Sequence, residues 1–293
     1  MEVEQIWPAR WGQERRLEFI DSRLLWEGRV NRSDLVTFFG ISVPQASLDL
    51  AKYRELAPQN AVYDGTEKAY VAANSFVPVF ARFSAEGYLG RILAVELGNI
   101  DVNSTFLGWR PPVGVVRDPS RRIDPVILRA ILGAVREHRT VQADYQSMSS
   151  PDPTSRRFTP HAIAFDGFRW HVRAFCQIHN DYRDFVLARI SRISVEESSP
   201  IDGSGDSEWN REIEALIIPN PELSAAQKLA IESDYGMENG RLVLHTREAL
   251  LFYLLRHLGL LPQPTSGVLS DQVVLGNRDE LKSFFAKHGI ASS

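Results

Sequence analysis

The chain has 293 residues, 44% of them hydrophobic and 24% charged, with a formal net charge of −4. That length holds two or three domains, each large enough to bury a core. No apolar run reaches the roughly 18 residues that span a bilayer, and a single cysteine excludes an internal disulfide or a cysteine-based zinc site.

The acidic start, MEVEQIWPAR, departs from the basic-then-apolar plan of a signal peptide, so a cytoplasmic protein is expected. The net charge conceals a regional split. Residues 1–75 carry −2, 76–120 carry 0, 121–200 carry +3 and 201–293 carry −5. In the +3 region all 12 basic residues are arginines, and four of the seven histidines lie there. The planar fork of arginine suits bidentate contact with phosphate or carboxylate. Arg121, Arg122, Arg129, Arg136 and Arg139 read as a solvated face, whereas the arginines on strands remain candidates.

In residues 1–75, Leu17, Ile20, Leu24 and Leu25 form the stripe of an amphipathic helix from Arg15 to Glu27. Asn31 or Ser33 caps a short helix, Asp34 to Phe39, and Gly40 makes the turn between two helices. Ser42 caps a third helix, with Pro44 in its first turn. That helix buries Ala46 and Leu50 and exposes Gln45, Ser47, Lys52 and Arg54. The segment from Asn60 to Val71 is a hairpin centred on Asp64-Gly65. Three helices and a hairpin make a winged helix-turn-helix, a fold that either binds DNA or serves as a protein-interaction module. Gln45 and Ser47 lie where a recognition helix meets base edges, and Ser42, Lys52, Arg54 and Lys68 complete the candidate DNA surface. The domain's −2 charge opposes phosphate binding, unless Asp49 and Glu55 point away.

Residues 76–122 read as a linker and dimerisation segment. Phe76 to Gly98 is apolar and partly helical, and Asn99 to Asp118 is rich in Gly, Pro and Asn. Phe106, Trp109 and Val113 are expected to pack on a neighbouring domain or a second subunit.

In residues 123–200, Asp124 caps a helix that begins with Pro125 and runs to about His138. The strand VQADYQS and a Ser/Pro-rich link lead into the stretch from Arg156 to Ile193. There Asp166-Gly167 fits a two-residue type I′ turn. In that register Phe165 faces Phe168 and Ile163 faces Trp170, and Val172, Ala174 and Cys176 extend the apolar face. Arg169 and His171 stand over Ala164 and Ala162 on the other face, with Arg173 beyond them. Long basic side chains above alanines predict a shallow positive trough for an anionic ligand. A helix leading into short antiparallel strands predicts a small barrel. Histidine with arginine also serves phosphodiester chemistry, but no paired carboxylates, phosphate loop or metal spacing accompanies them. Binding is the better reading, with no cofactor and no metal.

Residues 201–293 begin at a Gly203-Ser-Gly205 boundary. Helix, strand, helix, helix are expected at Glu222–Tyr235, Arg241–His245, Arg247–Gly259 and Asp279–His288, with a further strand at Val273–Leu275. The acidic surface suits subunit contacts better than DNA.

Trp170-His171-Val172 stands where WYL domains carry their Trp-Tyr-Leu triplet, and Phe185 to Ile190 resembles that domain's closing strand. Pro160-His161-Ala162 followed by Asp166 to His171 resembles a subgroup, the winged-helix WYL repressors of bacterial phage-defence operons such as BREX and CBASS. The third-helix string S-x-x-Q-x-S-x-D-L is similar to their recognition helix. The resemblance implies an α+β chain with a winged helix, an Sm-like or SH3-like barrel and a mixed α/β C-terminal extension. It also implies a homodimeric repressor on a palindromic double-stranded operator, answering to an anionic effector such as a nucleotide or single-stranded nucleic acid. Tyr145, Ser147, Arg156, His171, Arg173 and Arg189 are the groove residues it implies. His161, placed opposite Val172 on the apolar side, and Arg183, equally an ordinary loop arginine, are added to them. The alternative is a phosphodiester-acting enzyme or an RNA-binding accessory protein that uses the same groove.

Overall fold

The computed structural model describes residues 6–81, 84–117, 119, 121–261 and 272–290, with side chains from residue 12 onward. The chain divides into two compact units, 1–117 and 118–293.

In the first unit, α1 (Ile6–Glu27) begins before the expected Arg15 and buries Leu17, Phe19, Ile20 and Leu24. After the short β1 (Arg29–Val30), Asn31 caps α2 (Arg32–Phe39) in a capping box with Asp34. Gly40, at φ +63°, ends that helix in the left-handed region that favours glycine. Ser42 Oγ accepts from the Gln45 amide and starts α3 (Val43–Leu56). The wing is β2 (Ala61–Asp64) against β3 (Ala69–Ala72), and β1 pairs β3 on its other side.

Described residues of the segment that follows pack onto this domain. Phe76, Phe80 and Phe106 join the core of Phe19, Leu35, Leu50 and Tyr53. The buried Asp21 explains the attachment. Its Oδ2 accepts the backbone N–H groups of Val79, Phe80 and Ala81 at 2.7–2.8 Å, and its Oδ1 accepts the Tyr53 hydroxyl. A carboxylate removed from water is thereby fully hydrogen-bonded. Burial and Asp21 push the Tyr53 phenol well above its ordinary range. A fourth helix, α4 (Ala85–Glu96), follows. Phe106 packs as expected, whereas Trp109 stays exposed within this unit.

In the second unit, Asp124 caps α5 (Pro125–Glu137) through the Val126 amide. Five antiparallel strands follow: β4 (Arg139–Tyr145), β5 (Thr154–Phe165), β6 (Trp170–Cys176), β7 (Asp181–Val186) and β8 (Ile190–Ser198). Their order is β7-β6-β5-β4-β8, and a 3-10 turn, Leu187–Arg189, carries the chain from one edge strand to the other. No pairing joins β7 to β8 among the described residues, so the sheet is not closed into a barrel. Ile127, Ile131 and Ala134 of α5 pack on Val141, Ala143, Phe158, Val172, Ala174 and Cys176.

Both Asp-Gly pairs depart from the two-residue turn. Phe165 pairs with Trp170 and Asp64 with Ala69, leaving four residues in each loop. The cause is the aspartate. Asp166 Oδ1 accepts from the amides of Phe168 and Arg169, and Asp64 Oδ1 accepts from Thr66 and Glu67. A side chain that bonds the backbone two and three residues on widens the loop. Trp170, Phe165 and Phe168 consequently lie exposed at the tip.

The chain continues through α6 (Ser207–Asn210), β9 (Glu212–Pro219), α7 (Ala225–Asp234), β10 (Leu242–Arg247), α8 (Glu248–His257), β11 (Val273–Leu275) and α9 (Lys282–Lys287). The sheet order is β10-β9-β11, so the strand absent from the sequence reading, β9, is the central one. Ala215 and Ile217 of β9 pack against Leu251, Leu255 and Phe285.

Candidate nucleic-acid interface and a buried arginine cluster

α3 packs Ala46, Leu50 and Tyr53 inward, and Asp49 is buried beside them. The carboxylate is clamped by Arg16 of α1, whose Nε lies 2.6 Å from Oδ2 and Nη2 3.3 Å from Oδ1. Asp49 Oδ1 then accepts from Gln45 Nε2 at 3.1 Å. Asp49 therefore points into the domain, and the chain Arg16–Asp49–Gln45 holds the amide of Gln45 in one orientation. Ser47 Oγ donates to the Val43 carbonyl at 3.0 Å. Gln45, Ser47 and Lys52 are half-exposed, and Ser42, Arg54 and Lys68 are exposed. Arg54 lies over the Tyr70 ring, 5.6 Å from its centroid, which ties α3 to the wing. The most outward side chains of α3 include Leu48, 64% exposed. From sequence alone an apolar residue on a helix reads as core, and only the packing of α3 shows Leu48 facing outward.

The expected open trough on the other domain is absent. Arg173 is 4% exposed and His171 3% exposed. Arg173 donates to Asp206 through Nε at 2.7 Å and Nη2 at 3.0 Å, and Nη2 also donates to Glu208 at 2.9 Å. Asp184 Oδ1 stands 3.6 Å from its Nη1. His161 Nε2 lies 3.0 Å from Asp206, His171 Nε2 lies 2.9 Å from Asp166, and the His171 ring packs on Tyr253 at 5.0 Å. Residues of the C-terminal segment thus fill the space above the alanines, and three carboxylates surround one guanidinium.

His161 is also displaced from its expected place. A bulge between Pro160 and Ala162 interrupts the pairing of β5 with β6, and the ring reaches the side of the sheet that carries Arg173. Gly203 and Gly205 are packing glycines here, not loose boundary residues. A Cβ on Gly203 would stand 2.6 Å from Nδ1 of His161.

Electrostatics follow from this enclosure. Burial would raise the Asp206 carboxyl, but hydrogen bonds from His161 and Arg173 outweigh it and hold the group well below the usual range. The same competition, won by His171 and the amides of Phe168 and Arg169, lowers Asp166 to about 2. Asp184 goes the other way, because its burial exceeds the help from Arg173 and Tyr253.

The remaining groove candidates separate from this cluster. Tyr145 is buried in the core, its hydroxyl accepting from the Val186 amide at 3.3 Å, and Ser147 lies beyond the end of β4. Arg156 pairs across the sheet with Ala143 and so shares the core-side face, while Arg189 precedes Ile190, the partner of Tyr145. Arg156 and Arg189 therefore flank the Tyr145 end of β4 from its two neighbours, both half-exposed. Arg183 lies opposite Ala174, on the face away from Arg173.

Family models match in three places. They are the BrxR transcriptional regulator winged helix-turn-helix domain at residues 12–94, the WYL domain at 126–195 and the BrxR transcriptional regulator C-terminal dimerization domain at 212–281. Fold and matches define a transcription regulator built from a winged helix, a WYL domain and a dimerization domain. The chain belongs to the family of the CapW DNA-binding transcriptional repressors. It is 46% identical over 276 residues to the DNA-binding transcriptional repressor CapW of Escherichia coli (strain KTE188), covering 93% of this chain and 92% of that protein. The CapW of Stenotrophomonas maltophilia is 42% identical over 278 residues, covering 94% and 93%, and that of Pseudomonas aeruginosa 43% over 275 residues, covering 94% and 92%. No helix among the described residues is long and apolar enough to cross a membrane.

Proposed function

We propose that the chain acts in the cytoplasm as a homodimeric repressor whose α3 and wing read a palindromic operator, and whose second unit answers to an anionic effector. The observation that carries the DNA reading is the chain Arg16–Asp49–Gln45. It presents an oriented amide on the outward half of a capped helix, the arrangement needed to meet an adenine edge. Family membership supports repression, and the resemblance to BREX and CBASS regulators supports control of a phage-defence locus.

For the effector, the candidate cations beside Tyr145 and Ser147 are Arg156 and Arg189, both half-exposed. The strand order, with a 3-10 turn linking the two edges, fits a strongly curved Sm-like sheet. Arg173, His161 and His171 act as a buried hub that couples this sheet to the C-terminal segment. For nucleotides or single-stranded nucleic acid, Phe165, Phe168 and Trp170 offer exposed stacking surfaces, with Arg121 4.4 Å above the Phe168 ring. Enclosure of Arg173 and His171 removes the open His–Arg pair that the enzyme reading requires.

The test is a gel shift with the DNA upstream of the gene, with and without short single-stranded oligonucleotides and nucleotides, alongside a turnover assay on labelled oligonucleotide. A specific shift that responds to an anion is the expected result. Turnover without a specific shift would overturn the reading.

A further inference from the structure

Seen from solvent, α3 presents an apolar apex. A helical step of about 100° sets Pro44, Leu48, Ala51 and Glu55 on one line, opposite the buried Ala46, Leu50 and Tyr53. Leu48 lies in the middle of that line, with Gln45 and Ser47 on its two flanks. Glu55, further along, is paired with Lys52 at 3.0 Å. A single exposed leucine is ordinary on a protein surface. Its place at the apex of the helix that would enter a groove gives this one a consequence.

A docked α3 presses Leu48 against base-pair edges. Leucine offers neither donor nor acceptor, so a polar edge beneath it loses water and gains no bond, which costs free energy. Of the groups that the four base pairs display in the major groove, the apolar one is the 5-methyl of thymine. Ser47 Oγ donates to the Val43 carbonyl, so in this rotamer it offers the groove an acceptor. Gln45 is held to one side by Asp49.

We propose that Leu48 is a specificity-determining residue that seats on a thymine 5-methyl group in each operator half-site, next to the base pair met by Gln45. It selects against a G·C pair at that step, where a polar edge would be left dry. The inference rests on the reading of α3 as the recognition helix.

The test is a thermodynamic cycle on the full-length protein. An operator duplex is selected from a random-sequence pool with the wild-type chain, and each thymine of one half-site is replaced in turn by deoxyuridine, which removes only the methyl. Fluorescence anisotropy at fixed salt gives affinities for wild type, Leu48→Ala and Leu48→Met. At one or two positions deoxyuridine lowers wild-type affinity about three- to fivefold, the size of one buried methyl. Leu48→Ala binds the thymine and uracil duplexes alike at that position, and Leu48→Met keeps part of the discrimination. Thermal melts of the variants match wild type, because the side chain is exposed. Indifference of the wild type to uracil at every position overturns the proposal, as does full sensitivity retained by Leu48→Ala. Failure of the parent reading looks different: Gln45→Ala, Ser47→Ala and Leu48→Ala would all bind the operator as wild type does.

Discussion

His161 and Arg173 meet on one oxygen. Both approach Oδ2 of Asp206, at 3.0 and 2.7 Å, from neighbouring strands of the five-stranded sheet. Asp206 belongs to the segment leading into the β10-β9-β11 sheet, so this single carboxylate ties that segment to the five-stranded sheet. Its burial makes the bond valuable mainly against the alternative of an unpaired charge.

Asp206→Ala is therefore expected to lower stability by about 3–5 kcal/mol, because it leaves the buried Arg173 facing too few partners. Arg173→Ala falls in the same range, leaving Asp206, Glu208 and Asp184 crowded together. The double variant costs less than the two single losses added. Urea denaturation of the full chain measures all three, and strict additivity would mean that the pair does not act as a unit.

The loop carboxylate Asp166 is lost late on acidification and sets a defined window. Asp166 is lowered to about 2 in the folded chain, below an unfolded value of about 4. A depressed acid contributes stability that is complete above the unfolded value and is lost as the pH falls through the folded one. The stability gap between wild type and Asp166→Asn is thus full above pH about 4 and closes toward pH about 2. Asp184, raised by burial, contributes with the opposite sign. Parallel pH profiles for wild type and Asp166→Asn would show that another group governs the acid limb.

What could be read from the sequence was local. Asn31, Gly40, Ser42, Asp124 and Pro125 punctuate helices through contacts within a turn, and each stands where its chemistry places it. The errors came from partners far along the chain. Ala162 and Ala164 beneath basic residues suggested open space, but Asp206 and Tyr253 occupy it from more than thirty positions away. The Asp-Gly pairs misled for another reason: a backbone preference was weighed without the aspartate's own hydrogen bonds. His161 shows how a one-residue bulge reverses a side chain that strict alternation assigns to the core.

On the DNA side, Asp49→Ala should weaken operator binding although Asp49 itself is buried. Its loss frees Gln45 to sample rotamers and leaves Arg16 without its partner. Gln45→Ala removes the base contact directly, at roughly 1–3 kcal/mol, and in that background Asp49→Ala adds little further loss of specificity. Affinity for operator against scrambled DNA, for both single variants and the double, decides the point. Fully additive losses would place Asp49 outside the reading of bases.

Subunit pairing has a geometric consequence. One helix in one groove reads too few base pairs for a unique site, and a twofold protein reads two half-sites a helical turn or more apart. Light scattering should give about twice 33.1 kDa, and footprinting should protect two related half-sites. A monomer holding one half-site tightly would overturn this.

The effector arm separates the half-exposed cations from the buried hub. If an anion binds at Arg156 and Arg189, charge removal there lowers effector affinity while the fold survives, because both side chains are half-exposed. A ligand shifts operator affinity only by its difference in affinity for the two states. Arg156→Ala and Arg189→Ala should therefore bind operator as wild type does without effector and lose the response to it. Asp206→Ala should behave otherwise: the effector still binds, but coupling to the C-terminal layer is broken and the response is flattened. Operator affinity across an oligonucleotide titration, with direct oligonucleotide binding measured in parallel, distinguishes loss of binding from loss of coupling. If Arg156→Ala and Arg189→Ala respond like wild type, the anion enters elsewhere, and the hub around Arg173 becomes the site to open.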